Sequence, residues 1–194
     1  TEGYRIDRVE EIDVTTRDAL LARGDLPFPN FVKLDTQGCE LDILKGSVDA
    51  LRGPLLAAEI EVEFLPIYRG QPLFSDVDLF MRSMEFELVA FKNLHSKLDI
   101  RFGTRGAKGY ANAFEFVRAW ADRLVPPRGM LNATSQLVYG DAIYVRRIDS
   151  FLSQLAPQQA LTSVTKVVLL CGVLKFYEYA FECLKKAQER ALIG

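Results

Sequence analysis

The stretch from Phe31 to Gly46, FVKLDTQGCELDILKG, decides how the fold is read. Phe31, Val32 and Leu34 form a short β-rich apolar run, long enough for a buried strand. Asp35-Thr36-Gln37-Gly38 is a polar turn, and its glycine opens backbone angles closed to other residues. From Glu40 onward, Leu41, Leu44 and Val48 fall at helical spacing, which predicts a helix over Glu40–Leu51 that runs through Gly46. Strand, tight polar turn and helix make half of a βαβ unit. Ligands of open α/β sheets bind where strands end and helices begin, so Asp35 stands at an address where function is common.

Before this stretch, Ile12 and Val14 alternate with polar neighbours as in a strand. Thr16 can cap a short helix containing Ala19, Leu20 and Leu21, closed by Gly24. After it, Leu55 to Val62 reads as a strand, continuously apolar at first, as expected when both faces are covered. Its end alternates, with Glu59, Glu61 and Glu63 on one side and Ile60, Val62 and Phe64 on the other. A proline- and glycine-punctuated loop, Leu65 to Phe74, leads to Ser75 and Asp78, a capping-box variant that opens a helix bearing Val77, Phe80, Met81 and Met84. Phe86 to Phe91 reads as a strand. The polar, glycine-bearing segment Lys92–Ser135 holds one expected helix, Ala111–Leu124, stopped by Pro126-Pro127. Gln136 to Arg147 is a further strand with a bulge expected at Gly140. From Ile148 to Ile193 the pattern predicts a short helix, a break at Pro157 and one long amphipathic helix. Alternating strands and helices, with a last strand that returns without a full crossover, predict an α/β sheet with an antiparallel strand at its edge.

With 194 residues, 49% hydrophobic and 26% charged, the chain suits one globular domain with a real core. A formal net charge of −2 gives no electrostatic reason to expect nucleic acid or an anionic membrane as partner. Cys39, Cys171 and Cys183 have no metal-type spacing, and their odd number argues against a disulfide framework. The chain starts at Thr1 without a secretory pattern, and a reducing, cytoplasmic setting is expected. Its longest apolar run, Val167 to Leu174, is too short to span a bilayer.

Three ordered motifs carry a resemblance: Lys33 to Gly46, Tyr68 to Phe74 (YRGQPLF), and Gln136 to Tyr144 (QLVYGDAIY). Together they are similar to the FkbM family of methyltransferases, over roughly Ile12 to Arg147, with Val14 to Leu20 fitting the segment before the central motif. The resemblance implies a Rossmann-like methyltransferase sheet, mostly parallel with an antiparallel last strand. It also implies S-adenosylmethionine as cofactor and O-methylation of a hydroxyl on a sugar, glycan or secondary metabolite. It divides the chain into a methyltransferase portion, 1–147, and a C-terminal helical extension, 148–194. In such enzymes a glycine-rich loop and an acidic residue on earlier strands hold the cofactor. Only Thr1 to Asn30 stands in that place here, so the sequence resembles the C-terminal part of the domain, and weak or absent cofactor binding is expected of this chain by itself. The glycines of Arg101–Tyr110 follow the wrong strand to substitute for that loop.

Asp35 and Glu61 are the candidate catalytic residues, each at the carboxyl end of a predicted strand; methyl transfer to a hydroxyl needs a base only to take up its proton. Asp35 and Gln37 are candidates for the cofactor, and the plainer role for Asp35 is to accept backbone N–H bonds from its turn. Glu40, Tyr68, Gln71 and His95 are candidates for the acceptor, with Arg69 in the same loop as Tyr68. Glu40 is also explained by its position at a helix N-terminus. The plain reading of Glu59, Glu61 and Glu63 is a strand emerging into solvent, of His95 a surface loop, and of Cys39 a small buried filler. No metal site is expected. A non-catalytic interaction module built on the same scaffold is the alternative function. The strand Phe31–Leu34 offers only Lys33 to block its outer edge, so self-association is expected, through that edge or the long C-terminal helix.

Overall fold

The computed structural model describes residues 8–68, 70–96, 136–153 and 155–193. Their elements in chain order are α1 (Arg17–Ala22), β1 (Phe31–Leu34), α2 (Glu40–Lys45), α3 (Val48–Arg52), β2 (Ala57–Glu63), α4 (Phe74–Ser83), β3 (Phe86–Ser96), β4 (Leu137–Arg146), α5 (Ile148–Leu152), α6 (Pro157–Leu174) and α7 (Tyr177–Glu189). The expected helix Ala111–Leu124 and the glycine-bearing Arg101–Tyr110 lie outside the described residues. No helix among the described residues is long and apolar enough to cross a membrane.

The fold is α/β with a mixed sheet in the order β1-β2-β4-β3. β1 and β2 are parallel, and β4 runs antiparallel to both β2 and β3. Three strands thus point one way and the last in the chain opposes them. It does not lie at the edge, as the sequence suggests, but between β2 and β3. Its unbroken burial from Gly140 to Arg146 is what an interior strand needs. The expected bulge is also displaced. β4 pairs with β2 without interruption through Gly140, and the irregularities lie in its pairing with β3, the one facing Gly140 being on β3 between Lys92 and His95. Asn93 there takes a φ of +47°, and a Cβ on Gly140 would stand 2.8 Å from Leu94 Cδ2 and 3.2 Å from Leu94 Cα. Glycine lets the bulged strand approach.

Both faces of the sheet are covered, as a strand apolar on both sides requires. One face packs Val32, Leu34, Ile60, Val62 and Tyr144 against α2, α3 and α4, through Leu44, Leu51, Val77 and Met81. The other packs Ala57 and Val145, with Phe31 beside them, against α5, α6 and α7 through Ile148, Val164, Val167 and Cys183.

Several boundaries shift for local reasons. Ile12 and Val14 form no strand; they are 76% and 83% exposed, because alternation makes a strand only when a neighbour completes the ladder. α1 begins as expected, with Thr16 Oγ1 accepting from Ala19 N at 3.2 Å. The helix expected over Glu40–Leu51 is two helices broken at Gly46-Ser47. There α1 docks: Asp18 N donates to Gly46 O, and the Asp18 carboxylate accepts from Asp49 N and Ala50 N, capping α3 from a distance. α4 starts at Phe74, where Asp76 rather than Asp78 reaches back to the Leu73 N–H at 2.8 Å. Asp78 instead holds Arg82 at 2.7 Å and the Tyr144 hydroxyl at 3.3 Å. The long C-terminal helix is divided at Lys175, which takes a left-handed φ of +66°. That break turns Tyr177 and Phe181 outward, 67% and 69% exposed, although the sequence spacing groups them with the packing face.

Candidate functional site

β1 and β2 lie parallel with Lys33 opposite Glu59, so the chain leaving β1 and the end of β2 bring Asp35 and Glu61 to one place. Alternation along the strands sets Lys33, Asp35, Glu59 and Glu61 on the same face, and Asp141 of β4 is the register partner of Glu61. The structure thus unites the two carboxylates read from sequence as catalytic.

Gln37 joins them. Its Nε2 donates to Glu61 Oε2 at 2.7 Å and to Asp35 Oδ1 at 3.3 Å, while its Oε1 accepts from the Tyr68 hydroxyl at 2.9 Å. The turn itself is organised by Glu40, not by Asp35. Glu40 is 1% exposed; its Oε1 accepts from Thr36 N at 2.6 Å and Thr36 Oγ1 at 2.9 Å, and its Oε2 accepts from Gly38 N at 2.9 Å. This buried carboxylate has its donors inside the turn, so its role is to shape the loop that presents Asp35 and Gln37. Gly38 is a backbone necessity, as its residue type suggests. Its φ is +106°, and a Cβ there would meet Tyr68 Cδ2 at 3.3 Å and Gln71 Cβ at 3.4 Å. Cys39 is exposed rather than a buried filler, because it lies in this surface turn.

Gln71 pins the Tyr68 loop: its Oε1 accepts from the backbone N–H of Ile67, at 2.8 Å, and of Tyr68. Its Nε2 is buried and makes no full hydrogen bond, although Gln71 is close enough to Glu63 to favour that carboxylate's charged form. Arg69 lies outside the described residues.

The three glutamates of β2 do not emerge into solvent together. Glu63 is 3% exposed, and Glu59 is held by Lys33 at 2.9 Å and Lys92 at 3.5 Å. Burial, and after it the charge of Glu40, raises the pKa of Glu63 above the ordinary carboxylate range. Glu61 is pushed up to about 7, first by burial, then by the charge of Asp35 and a proton-sharing contact with it, with Glu63 and Glu40 adding to the same trend. A carboxyl that exchanges its proton near neutrality, beside a second carboxyl at the end of a parallel strand, is equipped for acid–base work.

His95 lies elsewhere. It belongs to β3, not to a loop, and stacks on Tyr139 with ring centroids 4.5 Å apart. Sequence reading missed Lys33, Lys92 and Asp141 as members of the charged face: Lys33 Nζ also lies 3.5 Å from Asp141 and 3.7 Å from Asp35, and Asn93 Nδ2 donates to Asp141 at 2.6 Å. The alternation was legible in each strand, but the register that assembles them was not. Among the described residues no group of acidic, histidine or cysteine side chains is placed to hold a metal ion.

Residues 2–88 match the methyltransferase FkbM domain. The matched stretch contains Asp35, Gln37, Glu40, Glu61, Tyr68 and Gln71. The motif Gln136–Tyr144, now the body of β4, lies beyond the matched residues and remains a resemblance. No curated protein and no solved structure matches the chain.

Proposed function

We propose that this FkbM domain contributes to an S-adenosylmethionine-dependent O-methyltransferase acting on a hydroxyl of a sugar, glycan or secondary metabolite. The observation that carries the reading is the Asp35–Glu61 pair, two carboxyls at the ends of adjacent parallel strands with Glu61 titrating at about 7. The order of the strands supports it. A parallel pair followed by a reversed last strand, inserted before a third strand of the original direction, fits one half of a Rossmann-like methyltransferase sheet.

The residues present fit the cofactor's cationic end. Asp35 is exposed, and its only cationic partner among the described residues is Lys33 at 3.7 Å, so it can receive an ammonium group. Gln37, read from sequence as a second cofactor contact, has both amide atoms engaged within the protein. When bound, S-adenosylmethionine supplies an electrophilic methyl group on a sulfonium. Glu61 in its carboxylate form takes up the proton that the acceptor hydroxyl gives away, and the negative charge of Asp35 beside it favours the protonated carboxyl that results. Near pH 7 about half of Glu61 is in the basic form. Tyr68, at the rim of the same turn and exposed, is placed to contact an acceptor.

Calorimetric titration of the natural full-length polypeptide with S-adenosylmethionine tests the proposal. Binding is expected, and Asp35→Asn should weaken it by at least about tenfold, the loss of one charge-assisted contact. A full-length protein that takes up no S-adenosylmethionine refutes the enzymatic reading.

A further inference from the structure

Gln37 is held from both ends. The Tyr68 hydroxyl donates to Oε1 at 2.9 Å, and Nε2 donates to the two carboxyls, at 2.7 Å to Glu61 and 3.3 Å to Asp35. An amide turned over would place its oxygen, which only accepts, against carboxylates, which also only accept. The carboxylates therefore select the orientation, and the Tyr68 hydroxyl holds the amide in it by donating to the oxygen.

Gln37 also holds a φ of +61°, a left-handed conformation that costs free energy for any side chain other than glycine. The loop opposite maintains it. The Tyr68 loop packs closely on Gly38, where a Cβ would stand 3.3 Å from Tyr68 Cδ2, and Gln71 Oε1 fixes the backbone that carries Tyr68. A strained residue kept in place by an interlocking loop, with its side chain aimed between two carboxyls, marks a position set by function rather than by packing.

We propose that Tyr68 and Gln37 are positioning residues for the Asp35–Glu61 pair: the phenol locks the amide with its NH2 toward the carboxyls, and the locked amide sets how tightly Glu61 holds its proton. The inference rests on the reading of that pair as the proton acceptor of a methyl transfer, but its test does not need the reaction. The charged groups around Glu61 are Asp35 from the end of β1, Glu40 from α2, Glu63 from its own strand and Asp141 opposite it on β4. Lys33 and Lys92 are engaged by Glu59, with Lys33 also near Asp35 and Asp141, and neither forms an ion pair with Glu61. The Gln37 amide is thus the donor that favours the charged form of Glu61 against four acidic neighbours. Removing it raises the proton affinity of Glu61.

Titration of the chain labelled with ¹³C at its glutamate carboxyls, read by NMR, checks this directly, with Glu61 assigned by the signal that Glu61→Gln removes. Tyr68→Phe frees the amide to rotate and should move the Glu61 midpoint up by about half a pH unit; Gln37→Leu deletes the donor and should move it by about one. Midpoints that stay put, or fall, in the folded variants overturn the proposal. Both substitutions change exposed side chains, so each can be read if the other loses the fold by circular dichroism. A shifted midpoint in a full-length protein that methylates nothing would keep the lock and reject the enzymatic reading. An unmoved midpoint in an active methyltransferase would do the reverse.

Discussion

On the sheet face covered by α2, α3 and α4, the strands present Val32 and Leu34, Ala58, Ile60 and Val62, then Ala142 and Tyr144. One residue along each strand, the opposite face presents Lys33 and Asp35, Glu59 and Glu61, then Asp141. The backbone is shared, so the difference lies in the side chains alone. The first face is stabilised by removing apolar surface from water, and its residues are interchangeable within limits of volume. On the second, every charge must find a partner among a few neighbours, and the cations are too few. Lys33 and Lys92 neutralise Glu59, Lys33 also reaches Asp35 and Asp141, and Glu61 receives an amide and keeps its proton to about pH 7. Burial begins that shift, and the shortage of cations enlarges it. The lower part of this second face, at Phe31, Ala57 and Val145, is apolar and carries α5–α7. Chemistry is thus confined to the strand ends.

The sharpest break of this comparison is mutational. Ile60→Ala on the apolar face should lower unfolding free energy by about 3 kcal/mol, since a side chain with 0% exposure leaves a cavity. Glu59→Gln, one residue away, should cost about 1 kcal/mol or less, because Lys33 is 46% exposed in its side chain and still has Asp35 and Asp141. Urea titrations of both variants measure this, and equal costs would mean that the charged face is structural after all. Next in size is Arg146, the charged residue that falls on the apolar side. It is 5% exposed and stacked on Phe86 at 4.9 Å and on Phe151 at 4.8 Å; Nε donates to Leu55 O at 2.8 Å, while Nη2 is buried without a partner among the described residues. Desolvation draws its pKa down to about 10. If packing is what it supplies, Arg146→Ala costs about 2 kcal/mol in thermal unfolding, whereas Arg146→Met, which keeps the volume and drops the orphan donor, costs less than about 1. A Met variant as damaged as the Ala variant would show that the charge itself holds the sheet.

Much of the first face was legible in the sequence, because periodicity reports it. β1 was placed to the residue from FVKL, and the α1 cap and α4 packing residues from spacing alone. The charged face was half legible. Asp35 and Glu61 stand out as strand-terminal acids, but nothing local says that Gln37 spans them or that Glu40 turns inward, since both depend on contacts between β1, α2 and β2. Where tertiary contacts override pattern, the sequence reading failed in a consistent way. Ile12 and Val14 have the alternation of a strand and no neighbour, His95 reads as a loop because a bulge interrupts its strand, and one expected C-terminal helix is two, divided at a left-handed lysine.

The smallest expected effect tests the charge shortage itself. Glu61 has a pKa of about 7 in the folded chain against 4.5 for an ordinary glutamate. Below pH 4.5 both folded and unfolded chains hold the proton, and Glu61 contributes no pH dependence. Between 4.5 and 7 the unfolded chain releases it while the folded chain keeps it, so rising pH favours unfolding; above 7 the penalty is complete. Water reaches part of this carboxyl, which reduces the penalty to about 1 kcal/mol. Glu61→Gln removes the titration and should flatten that portion of the stability profile, leaving the variant less weakened than the parent on going from pH 5 to pH 8. Glu63, shifted in the same direction, is present in both proteins, and losing the Glu61 charge beside it flattens the profile further. Urea midpoints at the two pH values give the answer, with Ile60→Ala as the control whose slope should match the parent. If Glu61→Gln loses as much stability as the parent between pH 5 and pH 8, Glu61 is ionised throughout, and the face has cations enough.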